Sequence, residues 1–166
     1  MKFTNSVQSP VGTILIVADA SAVVAVAIHP ERSAKLQALG LTGHEQSNRI
    51  SQSAAEQVVA YFAGERKRFD LPFSFAGISP FARKILSGLI DVPYGETMSY
   101  GELATICGHP QAARAVGRVM AANPVPIIVP CHRIVGSSGK MTGYSGGDGI
   151  VTKEWLLAFE AGRQLS

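Results

Sequence analysis

The sequence predicts an α+β fold in which a small β-rich N-terminal domain, residues 1–76, precedes a mostly helical domain, residues 79–166. Two observations predict this division: residues 1–28 carry short alternating and apolar runs, whereas the chain changes to successive helices after residue 79. The 166 residues are 46% hydrophobic and only 16% charged. This balance is typical of a folded globular chain and excludes a disordered one.

Short strands are predicted at the start of the chain. Residues 12–17 and 23–28 are apolar runs with turn residues between them, which favours an antiparallel meander. Residues 31–52 are polar and carry no periodic pattern. A short helix is expected over residues 53–62, and residues 69–75 alternate like a strand that Pro72 restricts to a sheet edge.

Helices follow a boundary at residues 76–80, where Ser79 suits an N-cap and Pro80 the first helical position. We expect helices over residues 80–90, 99–107 and 111–122. The last two helices and the tight glycine-containing turn between them fit a helix-turn-helix. A plain helical hairpin within a core has the same spacing, and spacing alone does not separate the two.

The last of these helices carries two arginines on one face, since Arg114 and Arg118 are four residues apart. Their neighbours are small, among them Ala113 and Gly117, and small residues let a backbone approach a nucleic-acid groove closely. Residues 103–147 contain no acid at all. The pattern therefore favours a polyanionic partner over an ordinary solvated face.

A thiol, an imidazole and a guanidinium stand side by side at Cys131, His132 and Arg133, directly after the apolar run 125–129. A buried cysteine is usually only a small apolar side chain. Here an adjacent imidazole can act as a base or as a stabilising cation, which favours a nucleophile. On a regular strand neighbouring side chains point to opposite faces, so contact requires a backbone turn, which Pro130 permits, or a bridging water.

An imidazole that acts as a base also needs a carboxylate to orient it, and Glu160 and Glu154 are the candidates on the last predicted helix. No apolar run approaches the ~20 residues that span a bilayer, and the N-terminus lacks a signal-peptide core. We therefore expect a cytoplasmic protein with no membrane partner, in which Cys107 and Cys131 stay reduced instead of pairing. Without a CxxC motif, and with scattered histidines, no metal site and no cofactor are expected.

The ordered motifs resemble those of the DNA alkyltransferases, which repair O6-alkylguanine by moving the alkyl group onto their own cysteine. They are the Asn-Pro-Val-Pro and Pro-Cys-His-Arg stretches within residues 123–133, the small-residue helix before them, and the Tyr-Ser-Gly-Gly loop at 144–147. The resemblance implies a methylated-DNA–protein-cysteine methyltransferase that flips O6-alkylguanine out of double-stranded DNA. It also implies irreversible transfer to Cys131, one reaction per molecule, minor-groove binding and a monomeric state.

Matching the family's motifs onto this chain implies catalytic roles for five residues. The resemblance implies a relay from Cys131 through a water to His132 and then to Glu160, which it favours as the orienting carboxylate. It further implies that Asn123 braces the active-site turn and that Tyr100 donates a proton to guanine N3.

The same match implies contacts with DNA and with the flipped base. The resemblance makes Arg114 a finger that fills the gap in the base stack. The predicted DNA contacts are Arg114, Ala113, Gly117, Arg118 and Arg133. A flipped base needs an aromatic wall and a flexible lid, and the glycines between 136 and 149 give the loop that freedom. The predicted pocket consists of Tyr144, Ser145, Gly146, Met120, Pro126 and Ile134.

Three other functions share part of this pattern. A non-enzymatic alkyltransferase-like sensor binds the lesion without repair, but such proteins usually carry tryptophan where Cys131 stands. A papain-type hydrolase separates its cysteine and histidine in sequence. A plain helix-turn-helix regulator would bind a defined sequence through the major groove and ignore alkylation.

Overall fold

The computed structural model of the protein describes residues 1–42 and 44–163. Its contacts divide the chain into two compact units, Met1–Phe75 and Ala76–Ser166. The first unit is built on antiparallel strands and the second on helices, which confirms the predicted α+β class. None of the helices in the described ranges is both long and apolar enough to cross a bilayer.

The first unit contains a sheet of β1 (Phe3–Ser9), β2 (Gly12–Ala18) and β3 (Val23–Ile28) in that order, with both pairs antiparallel. This arrangement confirms the predicted meander. Two helices follow, α1 (Ala34–Ala38) and α2 (Arg49–Phe62). The middle strand is buried on both faces, because Leu15 and Val17 pack with Leu36 while α2 packs against the same sheet.

Two predictions for this unit need correction. The helix begins at Arg49 instead of residue 53, because Asn48 and Ser51 form a capping box in which each side chain accepts the other's backbone N–H. The segment 69–75 is not a strand but forms one bridge, between Phe73 and Val23. Pro72 has no N–H to donate, so its carbonyl alone joins the contact, by accepting from Val23 N.

The second unit holds the remaining elements, which are α3 (Pro80–Leu89), β4 (Met98–Ser99), α4 (Tyr100–Ile106), α5 (Ala113–Ala121), β5 (Ile134–Val135) and α6 (Ile150–Glu160). The first three helices pack against one another around buried Ile85, Leu103 and Val116. Ser79 caps α3 as predicted, since its hydroxyl accepts from Ala82 N at 3.2 Å. The short strands β4 and β5 pair in parallel, which brings the start of α4 beside the segment after Cys131.

Candidate active site

Cys131 follows a buried turn that Asn123 holds together. Asn123 Nδ2 donates to the carbonyl of Val129 at 2.8 Å, and its Oδ1 accepts from Val125 N at 3.0 Å. Within this turn Ile127 has a φ of 73°, a left-handed conformation that costs a β-branched residue about 1–3 kcal/mol. The two amide hydrogen bonds and the burial of Ile127, which is 1% exposed, hold that conformation in place.

The chain turns directly at Cys131 instead of continuing as a strand. Cys131–Arg133 form one turn of 3₁₀ helix, in which Arg133 N donates to the carbonyl of Pro130 at 3.1 Å. The alternation that would separate the Cys131 and His132 side chains on a strand is thereby absent. The sequence allowed two arrangements, a backbone turn or a bridging water, and the structure has the backbone turn.

His132 and Glu160 form a fully buried pair. Nε2 of the imidazole lies 2.7 Å from Oε1 of the carboxylate, and the two side chains are 0% and 1% exposed. A bond to a carboxylate places the ring proton on Nε2, because the carboxylate only accepts. Nδ1 is buried and has no hydrogen-bond partner among the described residues. Glu154, the rival carboxylate on α6, is exposed.

Burial dominates the protonation of both reactive groups. Desolvation lowers the pKa of His132, against the opposing effect of Glu160, so the neutral imidazole is favoured. Desolvation raises the pKa of Cys131 to about 11, although a hydrogen bond with Asn123 and the charge of Lys153 lower it in part. The resting site therefore contains a thiol and a neutral imidazole with an open Nδ1.

Arg133 corrects one of the predicted DNA contacts. Its side chain is 7% exposed and its guanidinium is engaged inside the protein. Nε and Nη2 each donate to Glu160 at 2.9 Å, and Nη1 donates to the carbonyl of Val92 at 2.7 Å. A guanidinium held in this way does not reach a phosphate, so the prediction that Arg133 binds DNA is wrong.

Sequence reasoning missed Lys153, which is 1% exposed. Its Nζ donates to the carbonyl of Ile134 and lies 5.8 Å from the centre of the Tyr100 ring. Burial lowers the pKa of Lys153, opposed by the thiolate form of Cys131. A sequence signal existed: Lys153 and Glu160 are seven residues apart and share the apolar face of α6 with buried Leu156.

A cavity of about 360 Å³ opens onto Cys131. Its volume falls within the usual range for small-molecule sites. Six of the predicted site residues line it, namely Tyr100, Gly117, Met120, Cys131, Tyr144 and Ser145. Ala121 and Gly143, which were not predicted, line it as well.

The aromatic side chains of this cavity differ in their hydrogen bonding. The Tyr144 hydroxyl is buried without a partner in the described part of the chain, and burial raises its pKa well above the ordinary value. The Tyr100 hydroxyl instead bonds the Thr142 hydroxyl. An unpaired buried hydroxyl beside the cavity is a ready partner for a polar group of a bound molecule.

Three predicted pocket residues do not line the cavity. Ile134 is 0% exposed and pairs with Met98 across β4 and β5, so its side chain belongs to the core. Pro126 is buried in the turn, where it bridges to Val129. Gly146 belongs to the loop that carries Tyr144 and Ser145, and its carbonyl accepts a hydrogen bond from Gly149 N. Contact of these three residues with a bound base stays a prediction.

The outer face of α5 keeps its two arginines at the surface. Arg114 and Arg118 are exposed, while Ala113 and Gly117 beside them are half-buried. Gly117 lies against Tyr100, since a Cβ on it would be 3.9 Å from the tyrosine ring. The arginines thus stand on the same helix as the cavity residues Gly117 and Met120. Among the described residues no cluster of three or more metal-binding side chains occurs.

Both units match descriptions of one protein family. Residues 80–162 match the DNA binding domain of 6-O-methylguanine DNA methyltransferase, and residues 3–75 match its ribonuclease-like domain. The methylated-DNA–protein-cysteine methyltransferase of Mycolicibacterium paratuberculosis is 50% identical over 119 residues, which cover 72% of this chain and 70% of that one. The constitutive enzyme of Bacillus subtilis is 35% identical over 161 residues, or 96% of each chain.

Solved structures agree with these sequence matches. The crystal structure of Mycobacterium tuberculosis O6-methylguanine methyltransferase superposes with a TM-score of 0.85 at 37% identity, covering 100% of this chain and 96% of that one. The same Mycobacterium tuberculosis protein in complex with DNA gives a TM-score of 0.83 at 38% identity and covers 99% and 96%.

Proposed function

The chain belongs to the methylated-DNA–protein-cysteine methyltransferase family and is thus a DNA-binding repair methyltransferase; on that premise we propose that Cys131 takes the alkyl group from O6-alkylguanine, once per molecule. One observation carries this proposal. The buried thiol opens onto a cavity of about 360 Å³ and is followed in the chain by an imidazole with a carboxylate on Nε2 and a vacant Nδ1.

The reaction begins with removal of the thiol proton. Cys131 is protonated at rest because burial raises its pKa to about 11. A water between Sγ and Nδ1 of His132 would carry the proton to the imidazole, and Glu160 would stabilise the imidazolium that forms. Lys153 supports the developing thiolate with its buried positive charge.

Transfer then forms one bond and breaks another. Sulfur bonds to the alkyl carbon as the bond from that carbon to guanine O6 breaks, and the electron pair remains on the guanine. We assign Tyr100, which lines the cavity, as the donor of a proton to N3 of the leaving base, and the proton released by the thiol balances it overall. The product is a thioether, which cellular thiols do not reverse, so each molecule acts once.

The target atom of a paired guanine lies inside the duplex, so the nucleotide must leave the base stack. We assign α4 and α5 as a helix-turn-helix whose second helix binds the minor groove, with Arg114 filling the gap and Arg118 at the adjacent backbone. The exposure of both arginines and the half-buried Ala113 and Gly117 support this assignment, since they permit a close approach.

The flipped base would occupy the cavity at Cys131. Tyr144 provides the aromatic wall, and its unpaired buried hydroxyl favours a polar partner on the base. Ser145 and Gly143 belong to the loop that closes over it. We further propose that the protein acts as a monomer in the cytoplasm, on double-stranded DNA and without a cofactor.

Reaction stoichiometry tests this function. Incubation with an excess of duplex oligonucleotide that contains O6-methylguanine should consume one lesion per protein molecule and then stop. Intact mass spectrometry should show the whole protein population heavier by one methylene group. Continued consumption beyond one equivalent indicates a turning-over hydrolase, and binding of the lesion without any mass change indicates a sensor.

A further inference from the structure

The carboxylate of Glu160 accepts four hydrogen bonds. Oε1 accepts from His132 Nε2 at 2.7 Å and from Arg133 Nη2 at 2.9 Å. Oε2 accepts from Arg133 Nε at 2.9 Å and from the backbone N–H of Gly95 at 3.3 Å. Two oxygens that each accept twice are saturated, so this carboxylate has little capacity left to take up a proton.

Arg133 supplies half of these bonds through a rigid fork. Its guanidinium binds both carboxylate oxygens side by side, which is the strongest geometry available to an ion pair. The third arm, on the carbonyl of Val92, fixes the guanidinium to the segment before β4. The fork therefore determines where the carboxylate lies as well as what charge it carries.

Building on the alkyl transfer proposed above, we propose that Arg133 is a positioning residue for the reaction. Its fork keeps Glu160 an anion that only accepts, which places the single imidazole proton of His132 on Nε2. Its positive charge disfavours a second proton on the imidazole, so Nδ1 stays unprotonated. The imidazole needs an unprotonated Nδ1 to accept the proton of Cys131.

The charges around the imidazole support this inference. The ionisable groups that surround it are Glu160 and Lys153 on α6, Arg133 and Cys131 on its own turn, and Tyr144 on the loop. The charges of Arg133 and Lys153 already oppose a proton on His132, and that proton would make it the third cation of the cluster. Without Arg133, the proton on His132 would instead balance Glu160, and an imidazolium has no free nitrogen to accept the thiol proton.

The pH dependence of methyl transfer tests the role of Arg133, because its acid limb reports the protonation of the essential base. In Arg133→Met the acid limb should move upward by about one pH unit or more, since a cation beside the imidazole is lost. Arg133→Lys retains the charge, so its acid limb should stay near that of the unmodified protein while the plateau rate falls. A lower plateau with an unmoved limb in Arg133→Met would show a merely structural role and overturn the proposal. An equal shift in both variants would also overturn it.

A second measurement needs neither a variant nor DNA. Nitrogen-15 NMR of the unmodified protein should show the His132 side chain neutral, with its proton on Nε2, between about pH 6 and pH 8. An imidazolium at neutral pH would overturn the proposal, even if Arg133→Met does not fold. Failure of the alkyl transfer itself would appear separately, as an unmodified protein that has this neutral histidine yet consumes no methylated DNA.

Discussion

At the scale of single residues, the site combines a thiol that burial keeps protonated with a base that burial keeps neutral. The pKa of Cys131 is raised to about 11 and that of His132 is lowered. A thiolate is the reactive form of cysteine, so reactivity depends on moving the proton within the site instead of on a standing thiolate. This protects the nucleophile from oxidation until a substrate occupies the cavity.

Glu160→Gln should slow methyl transfer by about 10²–10⁴-fold, because the imidazolium loses its stabilising charge. The same substitution leaves the Arg133 guanidinium buried without its partner, which costs about 3–5 kcal/mol of stability. DNA affinity should change little, since the side chains of Glu160 and Arg133 are both buried. Single-turnover rates and denaturant unfolding measure the two effects.

Glu154→Gln is the matched control, since Glu154 is on the same helix but exposed. It should alter neither the rate nor the stability appreciably. Equal transfer rates in Glu160→Gln and the unmodified protein would mean that the His132–Glu160 pair serves the fold alone.

The residue scale also shows how far the sequence could predict the site. Because Cys131 and His132 are adjacent in the sequence, they were candidates for a nucleophile and its base. The family resemblance indicated Glu160 as the orienting carboxylate, and the structure brings it against His132. Arg133 was misassigned because an arginine in a basic stretch has the same sequence pattern whether it meets a phosphate or a buried carboxylate. Tertiary contact alone decides between them.

At the scale of elements, α5 links the proposed DNA surface to the cavity at Cys131. Its outer face carries exposed Arg114 and Arg118, while Gly117 and Met120 of the same helix line the cavity. Buried Val116 and Val119 anchor the helix in the second unit. In the proposed mechanism, this helix places Arg114 in the base stack beside the cavity that would receive the flipped base.

Arg114→Ala should reduce repair of duplex O6-methylguanine far more than reaction with a free O6-alkylguanine base. Duplex repair requires flipping at a cost of a few kcal/mol, about two orders of magnitude in rate if the finger supplies it all. The free base needs no flipping, so its reaction should remain within about twofold. Single-turnover kinetics on both substrates measure the ratio.

Arg83→Ala, at an exposed position on α3, provides the control for loss of positive charge. It should weaken DNA binding at most slightly and equally for damaged and undamaged duplex. Equal losses on both substrates in Arg114→Ala would remove the finger role and assign that residue to the fold or the pocket.

Element boundaries were predictable where a side chain marks them. Ser79 and Pro80 correctly located the start of α3. The start of α2 was missed because Arg49, Ser51 and Gln52 are polar, and its capping box uses Asn48 with Ser51 instead of an acidic partner. The strand expected at residues 69–75 failed because alternation does not guarantee a neighbour to pair with.

At the scale of the whole molecule, the stability of the second unit should depend on pH through His132 and Glu160. In the second unit the pKa values of His132 and Glu160 are both lowered. In the first unit hydrogen bonds lower the pKa of Glu45 to about 2 and also that of Asp19. His132 gives the second unit a buried group whose protonation affects stability near neutral pH.

Proton linkage determines whether the free energy of unfolding rises or falls with pH. Because folding lowers the pKa of His132, the unfolded chain binds a proton that the native state does not, and stability falls as pH drops below about 6.5. Glu160 adds a further loss below about pH 4.5, as its carboxylate is protonated in the unfolded state first. Each unit of pKa difference corresponds to about 1.4 kcal/mol.

Fluorescence of Trp155, the single tryptophan of the chain, monitors the second unit from within α6. Its unfolding free energy should decline between about pH 7 and pH 5.5. His132→Gln should abolish this decline; a constant or rising stability of the unmodified protein on acidification would contradict the neutral buried histidine.

The most direct test of the central claim is to locate the transferred group. After a single turnover with duplex O6-methylguanine, peptide mapping should find one added methylene on the peptide that contains Cys131 and none on Cys107. Cys107 is buried against the carbonyl of Lys84 at 3.7 Å, outside the cavity lining, so Cys107→Ser should react normally. Cys131→Ser should lose transfer entirely. A methyl group on Cys107, or repair that survives Cys131→Ser, would contradict the account.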